Sequence, residues 1–504
     1  MKTIKYIPLF ILLSFFAKAQ STDDVLNTLV QRGILKQEIV DSLRSETAIK
    51  EQENPKNQSI LIDAEIKPRF EFRNGYGNSF LPSSTSVPAS FVNQRTRLNI
   101  AHEWKGVLKS YVSIQDVRIW GQHDPRGLNG TFQLFEGYVE PIINENWSLR
   151  IGRQRLMLDN QRLFAENDWR VNAGSHDALR IIYQNEKLTG ELFGAFNQST
   201  EKFYGTDFDF WDQSTQPNNT TGYNNTWGNQ WYKSLIVGHL KYQPNKDWTL
   251  TTINTADAFQ RNQGKPAATT TPNNDAQDAE HYFWRLTYGG RIEYQKGSWY
   301  ATFSGYNQSG DNRAGKTIKA FYLQPEIKFT KENAFTIRLG AEILSGDGDS
   351  GNTGSVDGNF DALYGVAHRF NGFMDFFTSF GTSINSSGVQ TANHLKNQGL
   401  INPYLFIIKP LGQKWEIGSY SHLFWTQHNY KTGGKEYDKF LGYEHDLLIK
   451  YKPNKITSLE TGLSFALPTE DFAALKGNTN SDFHTATWAY VQLTIRPTLL
   501  KTKF

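Results

Sequence analysis

From residue 61 to the end, the chain repeats one pattern, in which apolar and polar side chains alternate over segments of about ten residues. In 282–294, Trp284, Leu286, Tyr288, Ile292 and Tyr294 share one face, and Arg285, Thr287, Arg291 and Glu293 the other. In 319–329, Phe321, Leu323, Ile327 and Phe329 oppose Tyr322, Gln324, Glu326 and Lys328. In 335–343, Phe335, Ile337, Leu339 and Ile343 oppose Thr336, Arg338 and Glu342. In 488–496, Val491, Leu493 and Ile495 oppose Tyr490, Gln492, Thr494 and Arg496. Successive strand residues point to opposite faces, so each segment is a ribbon with one oily side and one charged side. A sandwich would bury the oily side and leave the charges to water. A membrane barrel would turn the oily side to lipid and the charges inward.

The connections separate these two architectures. Short turns fall at Lys105-Gly106, Asn144–Asn146, Asn185–Lys187, Pro244–Asp247, Lys296–Ser298, Lys331–Asn333, Leu411–Lys414 and Pro453–Lys455. Between them lie long polar loops near 74–91, 120–130, 156–175, 198–230, 257–281, 307–318, 345–398, 426–440 and 467–484. Eight short and nine long connections imply eighteen strands, with every long loop at one end. The expectation is an all-β chain, a closed antiparallel transmembrane β-barrel of about 18 strands over 61–504. The loop 345–398 is an insertion: its apolar pieces, Ala362–Val366 and Phe373–Phe380, suggest folding into the barrel mouth. The alternative is an extra pair of strands, for a count of twenty.

The N-terminal part has a different character. Residues 1–19 read as a signal peptide, with basic Lys2 and Lys5, an apolar stretch Ile7–Phe16, and the small-x-small site Ala17-Lys18-Ala19. Residues 22–46 have helical spacing broken at Gly33, and 47–60 resemble a linker, so 20–60 is expected to form a periplasmic helical hairpin with a linker. A passive extension is favoured over a plug. The chain holds 53 Lys+Arg against 50 Asp+Glu, and loss of Lys2, Lys5 and Lys18 leaves the mature part neutral. Any preference for anions must then come from local placement, and nothing points to nucleic acid. Cysteine is absent, which excludes disulfides, thiolate metal sites and cysteine nucleophiles. Aromatics at 14 % with a mean hydropathy of −0.56 fit a barrel with aromatic girdles and a polar lumen. The terminal Phe504, after an amphipathic strand, is the form of signal read by the barrel-assembly machinery.

Several stretches resemble the alginate export family of outer-membrane channels: NQRTRLNIAHEW (93–104), SIQDVRIWG (113–121), LFEGYVEP (134–141), LRIGRQRLMLDNQRLFAENDW (149–169) and HDALRIIY (176–183). LSGDGD (344–349), FDALYGVAHRFNGFMDFF (360–377) and LGYEHDLLIKYKP (441–453) follow in the family's order. The resemblance implies an eighteen-stranded outer-membrane barrel in a Gram-negative bacterium. Its arginine-lined constriction would pass an anionic polysaccharide such as alginate.

The residues themselves agree on where to look. Twelve of the 21 arginines lie between residues 69 and 180. Parity places Arg95 and Arg97 together, Arg150 opposite Leu149 and Ile151, Arg180 opposite Leu179 and Ile181, and Arg118 with Asp116. With Glu136, Gln154, Arg285, Arg291, Arg338 and Arg496, these form the expected pore lining. Guanidinium is always charged and grips carboxylates in a two-pronged fork, so such a ring would concentrate anions. The competing reading is that the arginines pair with lumen acids such as Asp116, Glu136 and Asp177 and brace the barrel. Glu326, Glu342, Glu444, Asp446 and Glu460 are expected on the opposite wall, giving a transverse field. Water in the lumen should leave the pairs screened and of little weight in stability. Arg153 and Arg155 break parity, which implies either a bulge after Gly152 or a strand that has left the membrane with Gln154 still inside.

The chain thus reads as a channel for anionic solutes or acidic saccharide, working by diffusion, with outer-membrane lipid around it and no cofactor. A general sugar or small-solute porin without anion preference is the alternative. An outer-membrane barrel enzyme is less favoured, since His102, His176, His239, His422 and His445 are scattered with no compact Ser/His signature. Gly346–Asn352 is acidic enough for calcium but lacks the downstream glutamate of an EF-hand, so a plain loop is preferred.

Overall fold

The computed structural model describes residues 30, 36–41, 57–77, 81–122, 132–171, 173–198, 232–260, 282–312, 315–349, 353–378, 383–384, 390–391, 395–478 and 482–504. The chain divides into two compact units, Met1–Ser59 with Lys503–Phe504, and Ile60–Thr502. In the first, residues 37–41 are helical. The remainder of the helical hairpin expected over 22–46, and the signal peptide expected at 1–19, lie outside the described residues.

The second unit is built from long strands: β1 (Gln58–Asn74), β2 (Ala89–Trp104), β3 (Leu108–Ile119), β4 (Gln133–Pro141), β5 (Trp147–Gln154), β6 (His176–Gln184), β7 (Leu188–Phe196), β8 (Ser234–Asn245) and β9 (Trp248–Gln260). They continue with β10 (Tyr282–Lys296), β11 (Trp299–Asp311), β12 (Thr317–Lys331), β13 (Phe335–Leu344), β14 (Leu400–Leu411), β15 (Trp415–Trp425), β16 (Phe440–Tyr451), β17 (Thr457–Pro468) and β18 (Ala486–Ile495). Each pairs with the next, and β18 returns antiparallel to β1, with Arg69 opposite Gln492 and Phe70 opposite Val491. That return closes the eighteen-strand barrel and leaves no open edge. After Pro497 a further segment, Thr498–Lys503, also pairs with β1.

The eight short turns fall where expected, and four share one device. The side-chain oxygens of Asn144, Asn185, Asn245 and Asn454 each accept the backbone N–H groups two and three residues on, at 2.7–3.2 Å. Asparagine closes a tight turn on its own backbone in this way. Just beyond the turns stand Trp104, Trp147, Trp248, Trp299 and Trp415, all outward and at least 40 % exposed. Trp147 packs on Tyr183, Trp248 on Tyr294, Trp299 on Phe329 and Trp415 on Tyr451 across neighbouring strands. This is an aromatic girdle at the short-turn end. Above it the outer face is aliphatic, with Ile66, Ile100, Ile151, Leu179, Ile236, Ile292, Ile327, Leu339 and Leu463 exposed.

Two connections fold into the barrel. Residues 155–171 leave β5, and residues 356–378 belong to the 345–398 insertion. They bind each other through Tyr364 N–H to Leu163 O (3.0 Å), Ala165 N–H to Tyr364 O (3.2 Å) and Val366 N–H to Gln161 O (3.1 Å). Trp169 stacks on His368 at 4.0 Å. Leu158, Leu163, Phe164, Phe360, Met374, Phe376 and Phe377 are buried between these segments and inward wall residues such as Phe193, Tyr322, Phe406 and Trp488. The described apolar residues of the insertion therefore pack inside the barrel, and its described β-pairs, at 356–357, 383–384 and 390–391, are two residues long and add no staves. At the long-loop end, α1 (Glu470–Leu475) buries Phe472 and Leu475 against the same cluster.

Candidate functional site: the constriction

The segment 155–171 is held at its C-terminal end by the wall of β1, β2 and β18. Arg95 Nη2 lies 2.7 Å from Asp168 Oδ1, and Arg95 Nε donates to Glu65 Oε1 at 2.7 Å. Lys67 Nζ donates to Asp168 Oδ2 (3.2 Å) and to the Asp168 carbonyl (3.0 Å). Arg97 Nε donates to Gln115 (2.7 Å), with its guanidinium 3.7 Å over the Phe135 ring. Arg496 Nε donates to Glu65 Oε2 at 2.6 Å, and Arg69 Nη1 to the Trp169 carbonyl at 2.8 Å. Burial pushes the Asp168 carboxyl up, but Lys67, Arg95 and Arg97 together outweigh it and hold it at about 2. Arg95 is 0 % and Arg97 7 % exposed.

From there the segment crosses the interior. Asp159 accepts from Thr251 Oγ1 (2.7 Å) and meets His239 Nε2 (2.9 Å). Asn160 Nδ2 donates to Gln324 (2.9 Å) on β12. Arg162 forks onto Glu342 of β13, Nε to Oε1 at 2.9 Å and Nη2 to Oε2 at 3.0 Å, and its Nη1 donates to Val366 O at 2.9 Å. Tyr322 donates to the same Glu342 carboxylate. The crossing narrows the lumen, and the pair that pins it is sealed from water on both sides, at 1 % and 0 % exposure.

Cations facing water lie on the far side. Arg369, carried by the insertion, is exposed and donates from Nη2 to Asn160 O at 2.7 Å. It makes no ion pair among the described residues. Arg338 of β13 and Glu166 are within electrostatic range, and Glu166 is already bonded to Arg155. Arg338 pairs with Glu326 at 2.6 Å yet stays 32 % exposed. Directly across from it on β12, Lys328 has its ammonium 4.3 Å over Tyr300 and makes no ion pair among the described residues. Arg338 and Lys328 thus sit side by side a few residues from the short turn of β12 and β13, with Arg369 within electrostatic range of Arg338.

The expected pore residues separate into groups. Arg95, Arg97, Glu136, Arg150, Gln154, Arg180, Arg285, Arg291, Arg338 and Arg496 all point inward. Most are already bonded: Arg150 to Glu140 (2.6 Å), Arg180 to Glu191 (2.7 Å), Arg285 to Asp257 (2.6 Å) and Asp361, and Arg291 to Glu293 (2.5 Å). Glu136 holds Arg155 at 2.8 Å, and Gln154 donates to Ala178 O at 3.0 Å. Asp116 and Arg118 do not line the interior. Arg118 lies across from Gln94 and Val117 across from inward Arg95, so the pair sits on the outer face near the long-loop end, with Arg118 45 % exposed. Ser113 and Gln115 occupy the inward positions of β3, where parity had put its charged pair. Asp177 is likewise outside, paired with Arg153 at 2.6 Å. The β5–β6 register runs unbroken to Gln154, where the strand ends, so no bulge follows Gly152. The screening expected of Arg95 and Arg97 also fails, because the crossing segment covers them. Glu326, Glu342, Glu444 and Asp446 do face inward, the first two on β12 and β13, but Glu444 and Asp446 stand on β16, only two strands from β18, so these acids do not form one opposite wall.

The sequence reading did not single out Asp168, Lys328 or Arg369 as site residues. In the acidic loop, Asp347 accepts from the backbone of Asp349 and Gly358 and Asp349 from Gly354, so its described carboxylates are engaged by the chain itself.

No family model matches the chain, and no curated protein matches it. The resemblance to alginate export channels therefore reduces to architecture. Solved structures do match. OccD3 (OpdP) of Pseudomonas aeruginosa aligns over 88 % of this chain and 92 % of its own, at TM-score 0.53 and 10 % identity. OpdK of the same organism, solved with vanillate, covers 87 % and 98 % at TM-score 0.52 and 10 % identity. OccAB1 of Acinetobacter baumannii covers 88 % and 97 % at TM-score 0.53 and 12 % identity. OpdK is described as an outer membrane protein. At these identities the likeness is one of fold, and the fold is a closed eighteen-strand antiparallel β-barrel.

Proposed function

We propose that the chain forms an outer-membrane channel of a Gram-negative bacterium that passes small anionic solutes, uronates and acidic oligosaccharides among them. The observation that carries this is Arg369: a water-facing guanidinium at the crossing, without an ion-pair partner among the described residues and close to the paired positions Arg338 and Lys328. Such a group of fixed positive charges in a narrow, low-dielectric passage raises the local concentration of anions. Arg369 and Arg338 also offer the donor geometry that suits carboxylates. The vanillate solved with OpdK is a small carboxylate, consistent with this solute class. The oily outer face and tryptophan girdle suit a lipid surround. Movement is by diffusion, with no chemical step.

Reversal potential of the purified protein in planar bilayers, under a KCl gradient, tests this. The expected result is a preference for chloride that weakens as salt is raised, since screening grows with ionic strength. Equal permeability of both ions at low salt would favour a general small-solute porin, consistent with the many neutralised pairs elsewhere in the lumen.

A further inference from the structure

Glu444 and Asp446 lie two residues apart on β16, both facing inward and both 0 % exposed. Around the pair, Asp446 is reached by Glu444, by the Phe373 backbone N–H and by the Ser464 hydroxyl directly across on β17, but Glu444 Oε2, both Asp446 oxygens and the Ser464 hydroxyl make no well-formed hydrogen bond. No ion pair reaches either acid among the described residues. The groups facing them offer no cation. His422, across from Glu444 on β15, is fixed through Nδ1 to Asn402 Oδ1 at 3.0 Å, and its buried Nε2 has no acceptor for a second proton. Tyr420 lies across from Asp446, and Asp375, within electrostatic range of both, adds negative charge and is engaged by His368 at 2.9 Å and by Tyr76. Two buried carboxylates that share a site without a cation cannot both stay ionised. Calcium or magnesium would want six or more oxygens where this sealed site supplies four, and among the described residues no three His, Cys, Asp or Glu side chains come together to hold a metal.

We infer that Glu444 and Asp446 share one proton and act as a latch for the inward segment 371–375. One proton between the acids, with the Ser464 hydroxyl turned to the remaining Asp446 oxygen, gives all four oxygens a partner. The segment lies directly on the pair. Met374 N–H donates to Glu444 Oε1 at 2.8 Å, and Gly372, at φ +85°, packs so closely that a Cβ there would stand 2.3 Å from that same oxygen. Met374 O in turn accepts from Gly77 N–H at 2.8 Å. Loss of the proton places two bare charges beside Asp375 under the segment and releases it. The latch is independent of which solute the barrel passes.

Amide hydrogen exchange of residues 370–377, in wild type, Glu444→Gln and Asp446→Asn at matched pH, tests the latch. Either amide donates across the pair in place of the proton. At about pH 6 the three proteins should protect the segment alike; at about pH 9 only wild type should lose protection, by roughly tenfold or more. Lys476, which bonds the same segment through Phe376 O at 2.8 Å, is common to all three and cancels in the comparison. Heat-modifiable migration confirms a closed barrel in each. Parallel loss of protection in all three proteins overturns the inference, as does loss in wild type on adding a chelator, which would mean a metal site. In bilayers, wild type alone should gain conductance at alkaline pH. Absence of any conductance would count against the channel reading while leaving the exchange result to judge the latch.

Discussion

The wall of β1, β2 and β18 and the wall of β12 and β13 both carry arginines on their inner faces, and they use them differently. On the first, Arg95, Arg97 and Lys67 are closed over by Asp168, and their charge is consumed in fixing the crossing segment to the barrel. On the second, Arg338 and Lys328 keep a water-facing side, and Arg369 hangs above them. A cluster of arginines in sequence therefore marks the brace. The cations left for a solute come from separate elements far along the chain. A guanidinium works as a structural cross-link when a loop covers it and as a field source when water reaches it.

The sharpest way to break this comparison is at the buried pair that pins the crossing. Arg162→Ala leaves the Glu342 carboxylate sealed without its fork, a change of the class that costs about 3–5 kcal/mol. We expect a large loss of thermal stability, and a higher conductance in the barrels that survive, because both inward segments lose an anchor. An unchanged melting temperature would show that the crossing is held elsewhere. Next in size, Arg95→Gln with Arg97→Gln should reduce the yield of heat-modifiable barrel, because Glu65 and Asp168 lose their main partners. Ion selectivity of the folded fraction should change little.

How much of this was legible in the residues follows the same division. Parity and connection length gave strand count, closure and the inward side of most arginines, because both are local properties of a two-residue repeat. It failed at β3, where Val117 rather than Arg118 faces inward; a strand that is polar on both sides near its end does not declare its inner face. The crossing was harder to see. Of nine non-glycine residues with positive φ among the described residues, eight lie in the two long connections that fold inward, among them Asp159, Gln161, Leu363 and Asp375. Backbone held in such conformations is enforced by tertiary contacts with distant residues, and neither composition nor period records them. Asp168 and Arg369 owe their roles to partners about 70 and 209 residues away in sequence, Arg97 and Asn160.

The effect of acid is smaller and sharpens the comparison. The Asp168 carboxyl is depressed to about 2, below its ordinary value of 3.8. A depressed carboxyl contributes stability that is complete above the unfolded value and is lost as pH falls through the folded one. The brace should therefore hold unchanged down to about pH 4 and weaken only between there and about pH 2. Asp168→Asn should remove that acid step from a plot of melting temperature against pH; an identical step in the variant would place it on other carboxylates. Smallest in stability is Arg369→Gln, an exposed change expected to stay within about 0.5 kcal/mol of wild type.

That last substitution is also the most direct test of the division between brace and field. Reversal potential under a KCl gradient at low salt should be measured for wild type, Arg369→Gln and the folded fraction of Arg95→Gln with Arg97→Gln. The account predicts a shift toward cations in Arg369→Gln and almost none in the double variant. A shift in the double variant with none in Arg369→Gln would contradict it, and would return the selective charge to the first wall.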